Sequence, residues 1–134
     1  MPLAYQDLTE KIIGAAIKVH RELGPGFIES FYEKALVHEL QKQGIRVEQQ
    51  CEIAVYYDGI DVGKHRLDLF VENTIVVEVK AIKNLEDVHF AIVRSYLRAT
   101  SRQHGLLLNF AKVTLEIRRV IARDPKARGE NEET

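Results

Sequence analysis

The spacing of apolar positions changes along the chain, and the changes mark its elements. Leu8, Ile12, Ala15, Ala16, Val19 and Leu23 recur at helical spacing, predicting a first helix over residues 8–23. Asp7 and Glu10 give it a capping-box-like start, and Gly24-Pro25-Gly26 stops it. A second helix is predicted over residues 28–43, with Ile28, Phe31, Tyr32, Ala35, Leu36 and Leu40 on its apolar side and Gly44 just past its end. A period of two then takes over. Residues 45–57 and 60–71 read as strands joined at Asp58-Gly59, a pair suited to a tight hairpin, and residues 74–81 make a third strand. Helical spacing returns over residues 85–101, with Val88, Ala91, Ile92, Ser95, Tyr96 and Ala99 expected inward. Gly105 ends the connection to residues 106–110, a nearly continuous apolar run expected of a strand covered on both faces. A last strand is predicted over residues 113–121.

This order predicts one α/β (α+β) domain over residues 1–123, with a mixed central sheet of about five strands flanked by helices. No internal repeat or linker divides it. Residues 124–134 are polar and read as a disordered tail.

Composition narrows the function classes. With 46% hydrophobic and 29% charged residues among 134, the chain suits an ordinary globular domain with a sizeable core. No segment has the apolar length of a membrane span, and the first residues do not form a secretory signal. Cys51 is the single cysteine, so no internal disulfide forms, and a reducing cytoplasm is the expected compartment. Lys plus Arg number 19 and Asp plus Glu 20, for a net charge of −1. A tight, unspecific nucleic-acid binder is more basic, so any such contact must use a local patch or be transient.

The chemistry concentrates in the second and third strands, Arg66-Leu67-Asp68-Leu69-Phe70-Val71-Glu72-Asn73-Thr74-Ile75-Val76-Val77-Glu78-Val79-Lys80-Ala81. Apolar strands seldom carry ionisable side chains without a use for them. If Glu72-Asn73-Thr74 is the loop, Val71 pairs with Ile75, Leu69 with Val77 and Leu67 with Val79, which makes one face wholly apolar. The other face then sets Arg66 against Lys80, Asp68 against Glu78 and Phe70 against Val76. Asn73 tolerates the left-handed conformation such a loop needs. In this register the Asp68 and Glu78 β-carbons stand roughly 5 Å apart. Two carboxylates there repel by about 3 kcal/mol at an effective dielectric of about 20. Two readings follow. Arg66 and Lys80 complete a structural charge quartet, or a hard divalent cation joins the acids with water filling its shell. Burial beside Phe70 and Val76 weighs against the quartet, because buried ion pairs often fail to recover their desolvation cost.

The pattern Asp68-x9-Glu78-x-Lys80 on a hairpin resembles the core of the PD-(D/E)XK nuclease superfamily. Gly26-Phe27-Ile28-Glu29-Ser30-Phe31-Tyr32 resembles the G-x-x-E-x-x-Y motif of its GxxExxY branch, and the similarity spans residues 8–121. The resemblance implies a restriction-endonuclease-like fold and a metal-dependent nuclease acting on DNA. It implies Asp68, Glu78, Lys80 and Glu29 as catalytic residues. Mg2+ or Mn2+ would be held by Asp68, Glu78, Glu29 and the carbonyl of Val79. One departure stands out: Ile92 occupies the position where that branch usually carries glutamine, four residues before Tyr96, and Arg94 and Ser95 also differ. A nuclease-fold module that no longer cuts, and binds nucleic acid or a protein partner instead, is therefore the alternative.

Further candidates are substrate contacts: Tyr32, His89, Arg94, Tyr96 and Arg98. Arg94, Arg98 and Arg102 form a basic stripe at helical spacing, which suits phosphates or simply solvent. Glu29, three positions before Tyr32, is also what a helix dipole alone would favour in a first turn. The histidines and Cys51 show no zinc spacing. The small footprint of the domain suits a homodimer.

Overall fold

The computed structural model describes residues 5–122 of the chain, and the tail expected from residue 124 lies outside them. Helix α1 (Tyr5–Leu23) and helix α2 (Glu29–Lys42) come first. They are followed by β1 (Val47–Tyr57), β2 (Ile60–Val71), β3 (Ile75–Lys80), α3 (Asp87–Thr100), β4 (His104–Asn109) and β5 (Glu116–Ile121). The five strands form one sheet in the order β1-β2-β3-β4-β5. Neighbours run antiparallel except β3 and β4, which are parallel and joined through α3. The expected mixed sheet flanked by helices is what forms. Among the described residues no helix is long and apolar enough to cross a membrane.

The sheet separates two apolar layers. On one face α1 and α2 bury Leu8, Ile12, Val19, Tyr32, Leu36 and Leu40 against Leu69, Val71, Ile75, Val77, Val79, Leu106 and Leu108. On the other, α3 buries Val93 and Leu97 against Leu67, Phe70, Val76, Leu107 and Val120. Strands β3 and β4 are covered on both sides, which is why they read as continuous apolar runs.

The turns follow local chemistry. Asp58 and Gly59 both take positive φ at the β1–β2 hairpin. Between β2 and β3, Val71 pairs with Ile75, Phe70 with Val76 and Leu69 with Val77, the expected register. The loop uses two left-handed residues, Glu72 and Asn73, where one was expected. Glu72 is held there from both ends: its amide donates to the Arg46 carbonyl at 2.8 Å, and its carboxylate accepts from the Arg46 amide at 2.6 Å.

Four expectations are corrected. Leu67 does not share a face with Leu69; it packs under α3. The cause is a break in the pairing of β1 with β2: Gln49 opposes Leu69 and Cys51 opposes Leu67, while Gln50 between them has φ of +53° and stands outside the ladder. Second, α3 is rotated by about one position (100° on a helix). Its buried residues are Val93 and Leu97, with Phe90 and Tyr96 beside them, whereas Val88 is 54% exposed. Third, Ile28 and Phe31 are not on the buried side of α2; they are 66% and 50% exposed. Fourth, Gly105 lies inside β4 rather than in a loop. A Cβ there would stand 2.9 Å from a Val93 methyl and 3.3 Å from the Val76 carbonyl, so the glycine lets α3 sit close on the sheet.

Candidate functional site

Beyond Leu69↔Val77 strands β2 and β3 part. Asp68 fills the gap: its Oδ2 accepts from the Val79 amide at 2.9 Å, taking the place of a ladder carbonyl. Its carboxylate is thus held between the strands rather than standing on one face. Glu78 points to the α3 side of β3 and is 5% exposed. Lys80 Nζ lies 3.7 Å from Glu78 Oε2, while Glu78 Oε1 is buried without a hydrogen-bond partner. An ionised oxygen left this way is a substantial cost to a folded protein.

The electrostatics record the strain. Burial first, then the Asp68 charge, pushes the Glu78 carboxyl up to about 8, against the pull of Lys80. Burial also raises the Asp68 carboxyl, opposed by the Val79 amide and reinforced by the charges of Glu33 and Glu29. Tyr96 borders the pair, since burial and then the Glu78 and Asp68 charges push its hydroxyl up to about 12. The structural quartet does not form. Arg66, expected to neutralise the acids, is exposed and pairs with Glu52 at 3.3 Å. Lys80 is left as the cation of the cluster.

Glu29 reaches the same end of the sheet from the first turn of α2. Its Oε2 accepts from the Ala81 amide at 3.3 Å, one residue past Lys80. Among the described residues no three carboxylate, imidazole or thiol groups stand close enough to make a ready-built ion shell. The donors present are nonetheless of the right kind. Asp68 and Glu78 offer hard oxygens, one of them unpartnered, whose mutual repulsion a divalent cation would relieve.

The helical candidates fare unevenly. Tyr32 is fully buried and stacked on Phe110 with ring centres 4.6 Å apart. Its hydroxyl donates to the Gly24 carbonyl at 2.6 Å and accepts from the Phe27 amide at 3.0 Å. It clamps the turn that leads into Glu29 and presents no surface to a substrate. His89 closes the capping box of α3, its Nδ1 accepting from the Glu86 amide at 2.8 Å. Tyr96 packs edge-on against His65, and Ser95 Oγ lies 3.1 Å from His65 Nε2. Arg98 lines a groove of about 380 Å3 with His65 and Ser95, between α3 and the β1–β2 hairpin. Arg94 is half-buried on the same helix, and Arg102 is tied to the Asn73 carbonyl at 2.6 Å, so the basic stripe is not continuous.

Three residues escaped the sequence reading. Glu33 lies one turn after Glu29 and is 7% exposed, its oxygens taken by the Gln49 amide at 2.7 Å and the Gln50 amide at 2.9 and 3.0 Å. Gln50 Nε2 also lies 3.5 Å from Asp68 Oδ1. A second glutamate on the inner side of α2, and two adjacent amides in a strand, were the available signals. His65 carried none, because its partners come from a distant helix.

A family model described as the PD-(D/E)XK nuclease superfamily matches residues 6–120. The chain belongs to the PD-(D/E)XK nuclease superfamily. No curated protein and no solved structure matches it. The pattern Asp68-x9-Glu78-x-Lys80 falls within the matched residues, with Asp68 on β2 and Glu78 and Lys80 on β3. The membership covers both the helices and the sheet, and it gives the domain a nuclease-like fold.

Proposed function

We propose that this chain is a metal-dependent nuclease that hydrolyses phosphodiester bonds in DNA, acts in the cytoplasm and belongs to the GxxExxY branch of its superfamily. The observation that carries the reading is the buried Glu78 carboxylate, with one oxygen unpartnered, beside Asp68 and Lys80. Structural needs alone do not account for that arrangement, since Arg66 stays away from it. Asp68, Glu78, Glu29 and the Val79 carbonyl would hold Mg2+ or Mn2+. Such an ion supplies Lewis-acid polarisation of the scissile phosphate and a bound water of lowered pKa.

The chain's own groups do the rest. Asp68 is oriented by the Val79 amide and so offers its second oxygen in a fixed direction. The Lys80 ammonium donates to a non-bridging phosphate oxygen or to the attacking water, and it stabilises negative charge as it builds in the transition state. Glu29, tied to the Ala81 amide, carries a third negative charge to the strand end. Tyr96, Arg94 and Arg98 line the α3 side, where phosphates would be placed. None of these groups reads a base, so little sequence preference is expected. The test is cleavage of plasmid and of single-stranded, duplex and branched DNA with Mg2+ or Mn2+. The reading predicts activity abolished by Lys80→Ala. Wild-type protein no more active than Lys80→Ala on every substrate would refute it.

A second reading keeps the fold without the chemistry: a module, alone or as a homodimer, that binds nucleic acid or a protein partner. It is favoured by Ile92 on α3 and by the lack of a ready-built three-acid shell among the described residues. It predicts nucleic-acid binding that needs no divalent ion and no cleavage.

A further inference from the structure

Gln50 carries a backbone conformation that its sequence position does not explain. It lies within a long strand, yet its φ is +53°, in the left-handed region that side chains with a Cβ rarely adopt. Glycine would fit there without strain. A non-glycine residue held in such a conformation costs conformational energy and persists only where the surrounding structure holds it there. The side chain of Gln50 lies directly across from Asp68, in the step where neither residue takes part in the β1–β2 ladder.

The contacts of its amide are one-directional. Nε2 stands 2.9 and 3.0 Å from the two oxygens of Glu33 and 3.5 Å from Asp68 Oδ1. An NH2 group has two hydrogens and no lone pair to offer, so one points to each carboxylate. Glu33 is buried on α2, and the Gln49 amide holds its Oε2 at 2.7 Å, which fixes it from a second side. Asp68 is thus contacted at both oxygens: Oδ2 accepts from the Val79 amide at 2.9 Å, and Oδ1 lies 3.5 Å from Gln50 Nε2, a longer and weaker contact. The chain of contacts runs from α2 through β1 to β2, and so locks the leading acid to the helix that also carries Glu29.

We propose that Gln50 and Glu33 are positioning residues of the acid pair: Glu33 holds the Gln50 amide, and the amide holds the Asp68 carboxylate in the direction needed to meet a divalent cation. This rests on the nuclease reading for its purpose, but not for its geometry. Loss of a partner that orients a metal-binding carboxylate lowers metal affinity or activity by roughly 10–100-fold. Neither residue touches substrate or the ion. The split between orientation and direct binding is what the variants separate.

The decisive experiment uses the full chain with Gln50→Gly, which removes the amide and relieves the backbone strain, and with Glu33→Gln, which keeps the size and removes the charge. Amide hydrogen exchange at Val79 is followed without metal, and Mn2+ is titrated calorimetrically. Gln50→Gly is expected to keep a cooperative melting transition while the Val79 amide exchanges faster than in the wild type. The Val77 amide, deep in the same strand, stays protected. Mn2+ affinity is expected to fall by roughly 10-fold or more in Gln50→Gly and in the same direction in Glu33→Gln. A wild type that binds no Mn2+ and cuts no DNA defeats the nuclease reading alone, since Val79 exchange still reports whether Gln50 orients Asp68. Unchanged Val79 exchange in both variants overturns the proposal.

Discussion

Glu78 works against the fold that holds it. Its carboxylate is buried, one oxygen has no partner, and Asp68 repels it. Burial and that repulsion push its carboxyl from the ordinary 4.5 to about 8. In a group raised this way the folded state holds the proton more tightly than the unfolded state. Its favourable contribution is complete below the ordinary value and is lost as pH rises through the folded one. Metal-free wild type should therefore lose stability relative to Glu78→Gln between about pH 4.5 and about pH 8. Denaturant unfolding of both proteins at the two ends of that window checks it. The gap should widen in favour of the variant on the order of a few kcal/mol, and a gap independent of pH would contradict the burial described here. The same titration predicts that a divalent ion binds more tightly as pH rises, because it displaces that proton.

At the scale of elements, the hairpin of β2 and β3 was readable because its period of two admits one register that keeps a face dry. Val71, Phe70 and Leu69 pair as that rule demands. The same rule set Asp68 opposite Glu78, but the ladder ends at Leu69 and Val77, and Asp68 turns in to the Val79 amide instead. What escaped was set by non-local events. Leu67 changes face where Gln50 leaves the ladder, and nothing in residues 66–81 announces a left-handed residue in the neighbouring strand. Helix α3 was expected to turn Val88, Ala91, Ile92, Ser95, Tyr96 and Ala99 inward, whereas the sheet takes Val93 and Leu97, with Phe90 and Tyr96 beside them. Gly105 leaves room for that face, since a Cβ there would stand 2.9 Å from a Val93 methyl and 3.6 Å from a Leu97 methyl. Gly105→Ala should cost about 1–3 kcal/mol through overpacking against Val93. A drop in melting temperature measured by circular dichroism checks this, and an unchanged value would mean the contact yields freely. Since α3 carries Tyr96, Arg94 and Arg98, the same change should weaken substrate binding before it unfolds the protein.

At the scale of the molecule, each apolar layer supplies part of one site. The α1–α2 layer delivers Glu29 and Glu33, the α3 layer delivers Tyr96, and the sheet between them delivers Asp68, Glu78 and Lys80. A nearly neutral chain thus concentrates negative charge where its strands part. That concentration raises the folded state's free energy, and a divalent cation is the partner that would relieve it. Calorimetric titration of metal-free protein with Mn2+ at pH 8, for wild type, Asp68→Asn and Glu78→Gln, tests this most directly. The account predicts saturable binding to the wild type that weakens by roughly tenfold or more in each variant, while both remain folded and at least as heat-stable as the metal-free parent. A wild type that takes up no Mn2+, or variants that bind it equally well, would contradict it.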